Sequence, residues 1–188
     1  MRIISGNLKG KKILPPKDKL TRPLKDLTKE SIFNIIKHSK LLDINLENSN
    51  VLDLFSGVGS FGLECLSRGA SNVIFLESYK EVLTVLKKNI DNLKQQNYSR
   101  VIEKDIFREN TLELLNNKFE IIFIDPPYKE KKITDLLNRI IKLKLLKDNG
   151  VIIIHRHKKE REIFPDKFNL IVEKNYGISK IFFGNTSA

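Results

Sequence analysis

The sequence predicts an α/β protein built on a doubly wound, mostly parallel sheet of seven strands with helices on both faces. Short apolar runs alternate with segments whose apolar residues recur at helical spacing, as expected for repeated β-α units. The run Phe119–Ile124 is apolar almost throughout, which is typical of a parallel strand covered on both faces. Another apolar run, residues 51–55, is followed by three glycines at the spacing G-x-G-x-x-G, and a helical pattern begins after them.

The first residues predict a small β-hairpin extension. Residues 2–5 and 11–14 have strand character around a turn from Gly6 to Gly10, and two prolines end the second strand. We therefore expect a single domain, residues 1–188, in which an extension (1–20) precedes the core (21–188). Basic residues crowd this region and predict a surface that contacts phosphates: Lys9, Lys11, Lys12, Lys17, Lys19, Arg22, Lys25 and Lys29.

The remaining elements follow from periodicity and turn residues. Apolar spacing from Leu24 to Ile36 predicts a first helix with Asp26 as its N-cap, and the polar residues 43–50 predict a loop. Further helices are expected after the glycines and around residues 82–93, 109–116 and 136–145. Further strands are expected at 72–77, 100–103, 119–124, 150–154, 169–174 and 178–183, the last two forming a C-terminal antiparallel hairpin.

Composition limits the partners. The formal net charge of +11 indicates an anionic partner. Nucleic acid is favoured over a membrane, because no apolar run approaches the ~20 residues of a spanning helix. The single cysteine, Cys65, excludes an internal disulfide framework and is expected to be a buried small hydrophobic residue. The start of the chain has no signal-peptide core, so we expect a cytoplasmic protein.

Acidic residues end successive predicted strands. In an open α/β sheet, ligands bind beyond the carboxyl ends of the strands. Glu77 lies twenty-four residues after Asp53, near the ~20-residue offset of an acid that binds ribose hydroxyls. Asp105 ends the third strand, within reach of an adenine amino group, and Asp125 ends the fourth. We expect these carboxylates to share one edge of the sheet with the glycine loop.

The segment Asp125-Pro126-Pro127-Tyr128 is the most specific motif. Two consecutive prolines fix φ and remove two N–H donors, so the local carbonyls turn outward. A carboxylate, an outward carbonyl and an aromatic face suit a planar base with an exocyclic amine, which donates two N–H groups and stacks on the ring. The alternative is a proline-rich turn with a packing tyrosine. By contrast, residues 155–159 predict a solvated basic loop at the nucleic-acid edge.

Taken together, these motifs resemble a known family. The segments DLFSGVG (53–59) and DPPY (125–128), with Glu77 and Asp105, are similar to the ordered motifs of class I S-adenosylmethionine-dependent methyltransferases that modify amino groups of bases. Four further segments resemble the RsmD family in particular: RIISG (2–6), TRP (21–23), KESIFN (29–34) and LSRGA (66–70). The resemblance runs through essentially the whole chain.

The resemblance implies a Rossmann-like fold, S-adenosylmethionine as cofactor with S-adenosylhomocysteine as product, and methylation of the N2 amine of one guanine in 16S ribosomal RNA. The guanine would lie against Tyr128 and donate its amine to the Asp125 carboxylate and the Pro126 carbonyl. The implied catalytic residues are Asp125, Pro126, Pro127 and Tyr128. The implied cofactor-binding residues are Asp53, Phe55, Gly57, Gly59, Glu77, Asp105 and Ile106. The candidate RNA contacts are Lys9, Lys11, Lys12 and Arg22.

Two positions depart from the family pattern: Val58 replaces a usual Ser or Thr, and Leu24 replaces a usual Thr. We expect no metal, because three histidines and one cysteine do not assemble a ligand set. We also expect a monomer whose substrate RNA belongs to an assembled or partly assembled small ribosomal subunit.

Three other functions share part of the pattern. A nicotinamide-dependent oxidoreductase also uses G-x-G-x-x-G, but it leaves residues 125–128 unexplained. A DNA adenine-N6 or cytosine-N4 methyltransferase has both motifs but usually carries a separate target-recognition region. A non-catalytic RNA-binding module fits the charge but assigns no role to the acids at the strand ends.

Overall fold

Seven strands form one sheet in the order β3-β2-β1-β4-β5-β7-β6. The computed structural model describes residues 1–18 and 24–187. The strands are β1 (Asn50–Leu54), β2 (Asn72–Glu77), β3 (Ser99–Glu103), β4 (Phe119–Ile124), β5 (Leu146–His157), β6 (Phe168–Tyr176) and β7 (Ser179–Thr186). Strands β1 to β5 pair in parallel, whereas β7 runs antiparallel to both of its neighbours, β5 and β6. The predicted mostly parallel sheet and its C-terminal hairpin are confirmed.

Helices cover both faces of this sheet, as predicted. They are α1 (Asp26–His38), α2 (Ser60–Ser67), α3 (Lys80–Asn92) and α4 (Ile133–Lys142), with 3₁₀ turns at Gln96–Tyr98 and Leu112–Leu114. One apolar layer contains side chains of α1, α2 and α3, and the other contains those of α4 and of the β3–β4 connection. The strand order reverses between β1 and β4, where an open α/β sheet forms its ligand crevice. Cys65 is fully buried, as expected.

Two local predictions about helices are wrong. The helix expected at residues 109–116 is only the single 3₁₀ turn Leu112–Leu114. Asn110 has a left-handed backbone (φ 63°), which interrupts an α-helix, and Leu115 is already extended. Asp26 is the first residue of α1 and not its N-cap, which is Lys25.

The prediction of a basic loop at residues 155–159 is also largely wrong. Strand β5 continues to His157 because β7 pairs with it along its whole second half, with His155 opposite Ile181 and Arg156 opposite Lys180. His155 and Arg156 are buried, and only Lys158 and Lys159 remain exposed at the loop. The polar side chains of this segment are therefore part of the sheet.

The N-terminal arm, residues 1–18, packs against α2 and forms less sheet than predicted. A single antiparallel bridge joins Arg2 to Lys12, while Ile3 and Ile13 are buried in the apolar layer beneath. Arg22, Lys19 and the TRP segment (21–23) lie outside the described residues. Across 1–18 and 24–187, no helix is long and apolar enough to cross a membrane.

Lys29 does not belong to the predicted basic surface. Its side chain is fully buried, and its ammonium donates to the Arg2 carbonyl (2.8 Å) and to the Ser60 hydroxyl (3.3 Å). The same ammonium lies 3.4 Å from the buried Glu64 carboxylate. Burial lowers the pKa of Lys29, and the charge of Glu64 opposes this effect. Lys29 therefore links the arm to the first turn of α2.

Candidate active site

Three carboxylates lie on one face of the sheet at the carboxyl ends of neighbouring strands. Side chains alternate along a strand, and Val51, Phe75 and Phe123 share one apolar layer. Two residues further along β1, along β2 and just past β4 are Asp53, Glu77 and Asp125, which therefore share that face. Glu77 and Asp125 therefore share this edge with the glycine loop, as predicted, and Asp53 lies on the same face within β1.

Asp53 is buried beneath the glycine loop. Its Oδ2 accepts a hydrogen bond of 2.9 Å from the backbone N–H of Gly62 in α2. Burial raises the pKa of Asp53 well above its usual range, and the charges of Asp125 and Glu77 push in the same direction, while the Gly62 N–H opposes them. The side chain thus holds the start of α2 against β1.

The three glycines do not all serve the same purpose. Gly57 and Gly59 have left-handed backbones, and the Gly57 N–H donates to Glu77 Oε2 at 2.9 Å. A Cβ atom at Gly59 would lie 2.5 Å from a methyl carbon of Leu86, and one at Gly62 would lie 2.4 Å from the ring of Phe75. Two of these glycines are therefore required for close packing of the loop and helix against α3 and β2, a role that the spacing alone did not separate from ligand approach.

The other carboxylate oxygen of Glu77 organises the loop after β2. Glu77 Oε1 accepts the backbone N–H groups of Ser78 (2.8 Å) and Tyr79 (2.9 Å). The Tyr79 hydroxyl donates to Asp18 at the end of the arm (2.6 Å), and this hydrogen bond raises the pKa of Tyr79 to about 12. The arm therefore reaches the edge of the sheet at Glu77.

A second acidic turn follows β3. Asp105 is exposed, and its Oδ1 accepts the N–H of Phe107 (2.9 Å), while Ile106 is buried beneath it. The rings of Phe55 and Phe107 lie 5.9 Å apart between centroids, and Phe55 has a left-handed backbone (φ 57°). The structure thus brings Phe55, Asp105 and Ile106 together and adds Phe107, which sequence reasoning missed because an isolated aromatic residue carries no spacing signal.

Two buried side chains of β5, those of His155 and Arg156, form hydrogen bonds with the DPPY loop (125–128). His155 Nδ1 lies 2.7 Å from Asp125 Oδ1. The Arg156 guanidinium donates to the carbonyls of Pro127 (3.2 Å) and Glu130 (2.7 Å) and pairs with Glu162. Sequence reasoning missed both residues by assigning them to a loop. The signal that could have found them is that residues 151–157 continue without a Gly or Pro that would end the strand.

The aromatic ring of the motif also has a neighbour from β5. The Tyr128 and His157 rings meet edge to face, with centroids 5.1 Å apart. Tyr128 and Asp125 remain partly accessible, and Pro126 is buried. The loop therefore presents a carboxylate and an aromatic ring that are both positioned by histidines of β5.

The residues that are expected to contact RNA and that the structure describes lie apart from this edge. Lys9 is in the turn beside Ser67 at the far end of α2, and Lys12 pairs with Arg2 nearer the start of that helix. Lys9, Lys11 and Lys12 are exposed, but they do not join the carboxylates. Nearer to Asp125 the structure shows a basic rim of exposed residues in the loops after β4 and β5: Lys129, Lys131, Lys132, Lys158, Lys159 and Arg161.

The two departures from the family pattern are both buried. Val58 packs in the apolar layer, and its carbonyl accepts a hydrogen bond from Asn89 Nδ2 (3.0 Å). Leu24 is buried in the same layer. At both positions an apolar side chain therefore adds to the core.

The chain is similar to known proteins along its whole length. A family model described as "Conserved hypothetical protein 95" matches residues 1–185. "Ribosomal RNA small subunit methyltransferase D" of Buchnera aphidicola subsp. Acyrthosiphon pisum is 36% identical over 176 residues, which cover 92% of this chain and 86% of that one. The protein of the same name from Haemophilus influenzae is 31% identical over 183 residues, covering 95% and 90%. The solved structure of yhhF from Escherichia coli superposes with a TM-score of 0.80 at 26% identity, covering 100% and 98%.

Proposed function

Since the chain belongs to the RsmD family of S-adenosylmethionine-dependent methyltransferases, we propose that it methylates the N2 amine of one guanine in 16S ribosomal RNA. The observation that carries this proposal is the DPPY loop at the carboxyl end of β4, where the Asp125 N–H donates to the carbonyl of Leu54, the last residue of β1 before the glycine loop. The names of the relatives support ribosomal RNA of the small subunit as the substrate. The choice of guanine N2 rests on the resemblance to the family.

The residues at the sheet edge fit the cofactor. Within the described part of the chain, the buried hydroxyl oxygen of Ser56 in the glycine loop has no hydrogen-bond partner, which suits a polar ligand at that place. In our proposal, Gly57 and Gly59 line the methionine end and Glu77 binds the ribose hydroxyls. Asp105, Ile106 and Phe55 contact the adenine. Asp53 supports the glycine loop through its hydrogen bond from the Gly62 N–H. When bound, S-adenosylmethionine supplies an electrophilic methyl group.

The DPPY loop fits the acceptor base. The Asp125 carboxylate and the Pro126 carbonyl accept the two N–H groups of the amine, and the base stacks on Tyr128. An exocyclic amine is a weak nucleophile because its lone pair is delocalised into the ring. Two fixed acceptors direct that lone pair toward the methyl group, so that positioning and electrostatics supply most of the acceleration.

The surface charge supports an RNA partner. Lys9, Lys11, Lys12 and Arg22 are proposed to contact RNA phosphates away from the target base, and the basic rim contacts phosphates around it. We further propose that the enzyme is a cytoplasmic monomer acting on an assembled or partly assembled small subunit without a metal.

The test is transfer of labelled methyl groups from S-adenosylmethionine to unmodified small ribosomal subunits, protein-free 16S RNA and duplex DNA. We expect label in 2-methylguanosine from the subunits. Asp125→Ala should lower the rate by about 100-fold or more, because it removes an acceptor aimed at the reacting amine. Asp166→Asn, an exposed position on the β5–β6 connection, is the matched control and should leave the rate unchanged.

Other outcomes separate the competing functions. Label in N6-methyladenine or N4-methylcytosine of DNA would retain the cofactor and replace the substrate. Protection against unfolding by NAD, with none by S-adenosylhomocysteine, would indicate an oxidoreductase. RNA binding without cofactor binding would indicate a non-catalytic module.

A further inference from the structure

A chain of three polar side chains runs from the DPPY loop into the sheet. His155 Nδ1 lies 2.7 Å from Asp125 Oδ1, and His155 Nε2 lies 2.9 Å from Ser179 Oγ. His155 and Ser179 are buried, and the Asp125 side chain is 20% exposed. The carboxylate therefore meets the crevice on one side and the imidazole on the other.

Strand register explains how three distant residues meet. In the parallel pair, Ile124 of β4 lies beside Ile154 of β5, so the next residues, Asp125 and His155, also lie side by side. In the antiparallel pair, Ser179 of β7 lies opposite His157. It is therefore a diagonal neighbour of His155 on the same face, within reach of its ring.

The chemistry of the groups assigns the protons. An ionised carboxylate only accepts hydrogen bonds, so His155 must carry its hydrogen on Nδ1. In the neutral ring Nε2 then accepts, and the Ser179 hydroxyl donates to it. The Ser179 hydroxyl can rotate to donate, so it is compatible with the tautomer that Asp125 requires and holds the ring in place.

We propose that His155 is a positioning residue for methyl transfer, which orients Asp125 by donating Nδ1–H to Oδ1 and leaves Oδ2 to accept the amine of the base. This role rests on the proposed methyltransferase function. A carboxylate that is fixed before the base arrives needs no reorientation during the reaction, and small misplacements of such groups are costly in rate. Ser179 supports the role by fixing the imidazole.

Two substitutions separate positioning from mere packing. The amide nitrogen of asparagine can occupy the place of Nδ1, whereas that of glutamine can occupy the place of Nε2. We expect His155→Gln to lower kcat about 10- to 100-fold, the usual cost of losing a partner that orients a functional ligand. His155→Asn should recover most of that loss because it restores the donor to Asp125. His38→Gln, at an exposed histidine of α1, is the control and should match the wild type.

A second readout needs no substrate. The ¹⁵N chemical shifts of the His155 ring should show the Nδ1–H tautomer in the wild type. Ser179→Ala removes the hydrogen bond to Nε2, so it should change the Nε2 shift while the hydrogen stays on Nδ1. Thermal unfolding of each variant shows whether a loss of kcat follows a loss of folded protein.

The outcomes are distinct. Equal losses of kcat in His155→Gln and His155→Asn, in step with lower Tm, would overturn the positioning role and leave a purely structural one. A wild type with the Nε2–H tautomer would also overturn it. A wild type that methylates none of the acceptors would overturn both this role and the proposed function, whereas an active wild type with equal losses would overturn this role alone.

Discussion

Burial determines what each carboxylate at the sheet edge can do. Asp53 is buried and bonded to a backbone N–H, so it stabilises the glycine loop from within. Glu77 has both oxygens engaged by backbone groups of two loops, and Asp125 has one oxygen on a histidine and stays partly accessible. A carboxylate thus performs three different tasks at this edge, according to its depth and its partners.

At this scale we predict how Asp53 affects stability with pH. Its pKa in the folded state is raised above the unfolded value, chiefly by burial, so the folded state favours the protonated form. Stability is therefore lost as pH rises above the unfolded pKa of about 4. Asp53→Asn avoids this loss, and its stability relative to the wild type should increase from pH 4 to neutral pH by on the order of 1 kcal/mol or more, about 2–4 °C in Tm.

The measurement is thermal unfolding of the cofactor-free proteins across that pH range. Asp166→Asn, where the carboxylate is exposed, should run parallel to the wild type. A difference between Asp53→Asn and the wild type that stays constant with pH would contradict the prediction.

Among the elements, α2 connects the N-terminal arm to the glycine loop. The buried Glu64 carboxylate accepts the N–H groups of Ile4 (2.8 Å) and Ser5 (2.9 Å) and pairs with Lys29 and Arg68. Ser67 adds a hydrogen bond to the Ser5 carbonyl. The first turn of the arm is therefore anchored on a helix whose first residues belong to the candidate cofactor site.

We predict that Glu64→Gln loosens this arm. The change leaves buried Lys29 without its nearest counter-charge, since Asp26 lies farther away at 3.9 Å, and places an amide N–H₂ group against backbone donors, which should cost about 3–5 kcal/mol. Hydrogen exchange at the Ile4 and Ser5 amides should become faster than in the wild type. Glu47→Gln, at an exposed position, should have no effect. Unchanged protection of both amides would show that the arm is held by its apolar contacts alone.

Across the whole molecule, the net charge of +11 is distributed over several surfaces. The arm carries Lys9, Lys11 and Lys12, and the basic rim flanks the DPPY loop. Other exposed lysines, Lys118, Lys142 and Lys144, precede β4 and β5 at the opposite edge of the sheet. Net charge alone does not distinguish these surfaces, but their positions relative to Asp125 do.

We predict that RNA affinity falls steeply with salt and that only the basic rim and the arm, which contact RNA phosphates in our proposal, set the slope. Replacing Lys129, Lys131 and Lys159 of the rim by Gln should reduce the slope of log K against log salt by about 2, because each lost phosphate contact removes roughly 0.7. Replacing Lys9, Lys11 and Lys12 of the arm should reduce it similarly. The triple change at Lys118, Lys142 and Lys144 is the control. An equal reduction by the control set would show that the charge acts without a defined surface.

Much of the fold and the site could be predicted from local patterns. The strands β2 and β4 have the predicted bounds because an apolar run makes up most of each, as burial on both faces requires. The helix predicted at residues 109–116 was wrong because Leu112 and Leu115 have helical spacing, although one 3₁₀ turn suffices to bury them. Polar residues at the end of β5 were assigned to a loop because their strand partners lie on β7, far along the chain.

By itself, the sequence determined the order of strands and helices, the glycine loop and the acids that end successive strands, since these depend on neighbouring residues along the chain. Only the tertiary structure decided that Lys29 is buried against Glu64 and that His155 and Ser179 stand behind Asp125. These contacts join residues far apart in sequence, and strand register and helix packing bring them together. Charge and residue type do not reveal a side chain's partner until the fold has placed both.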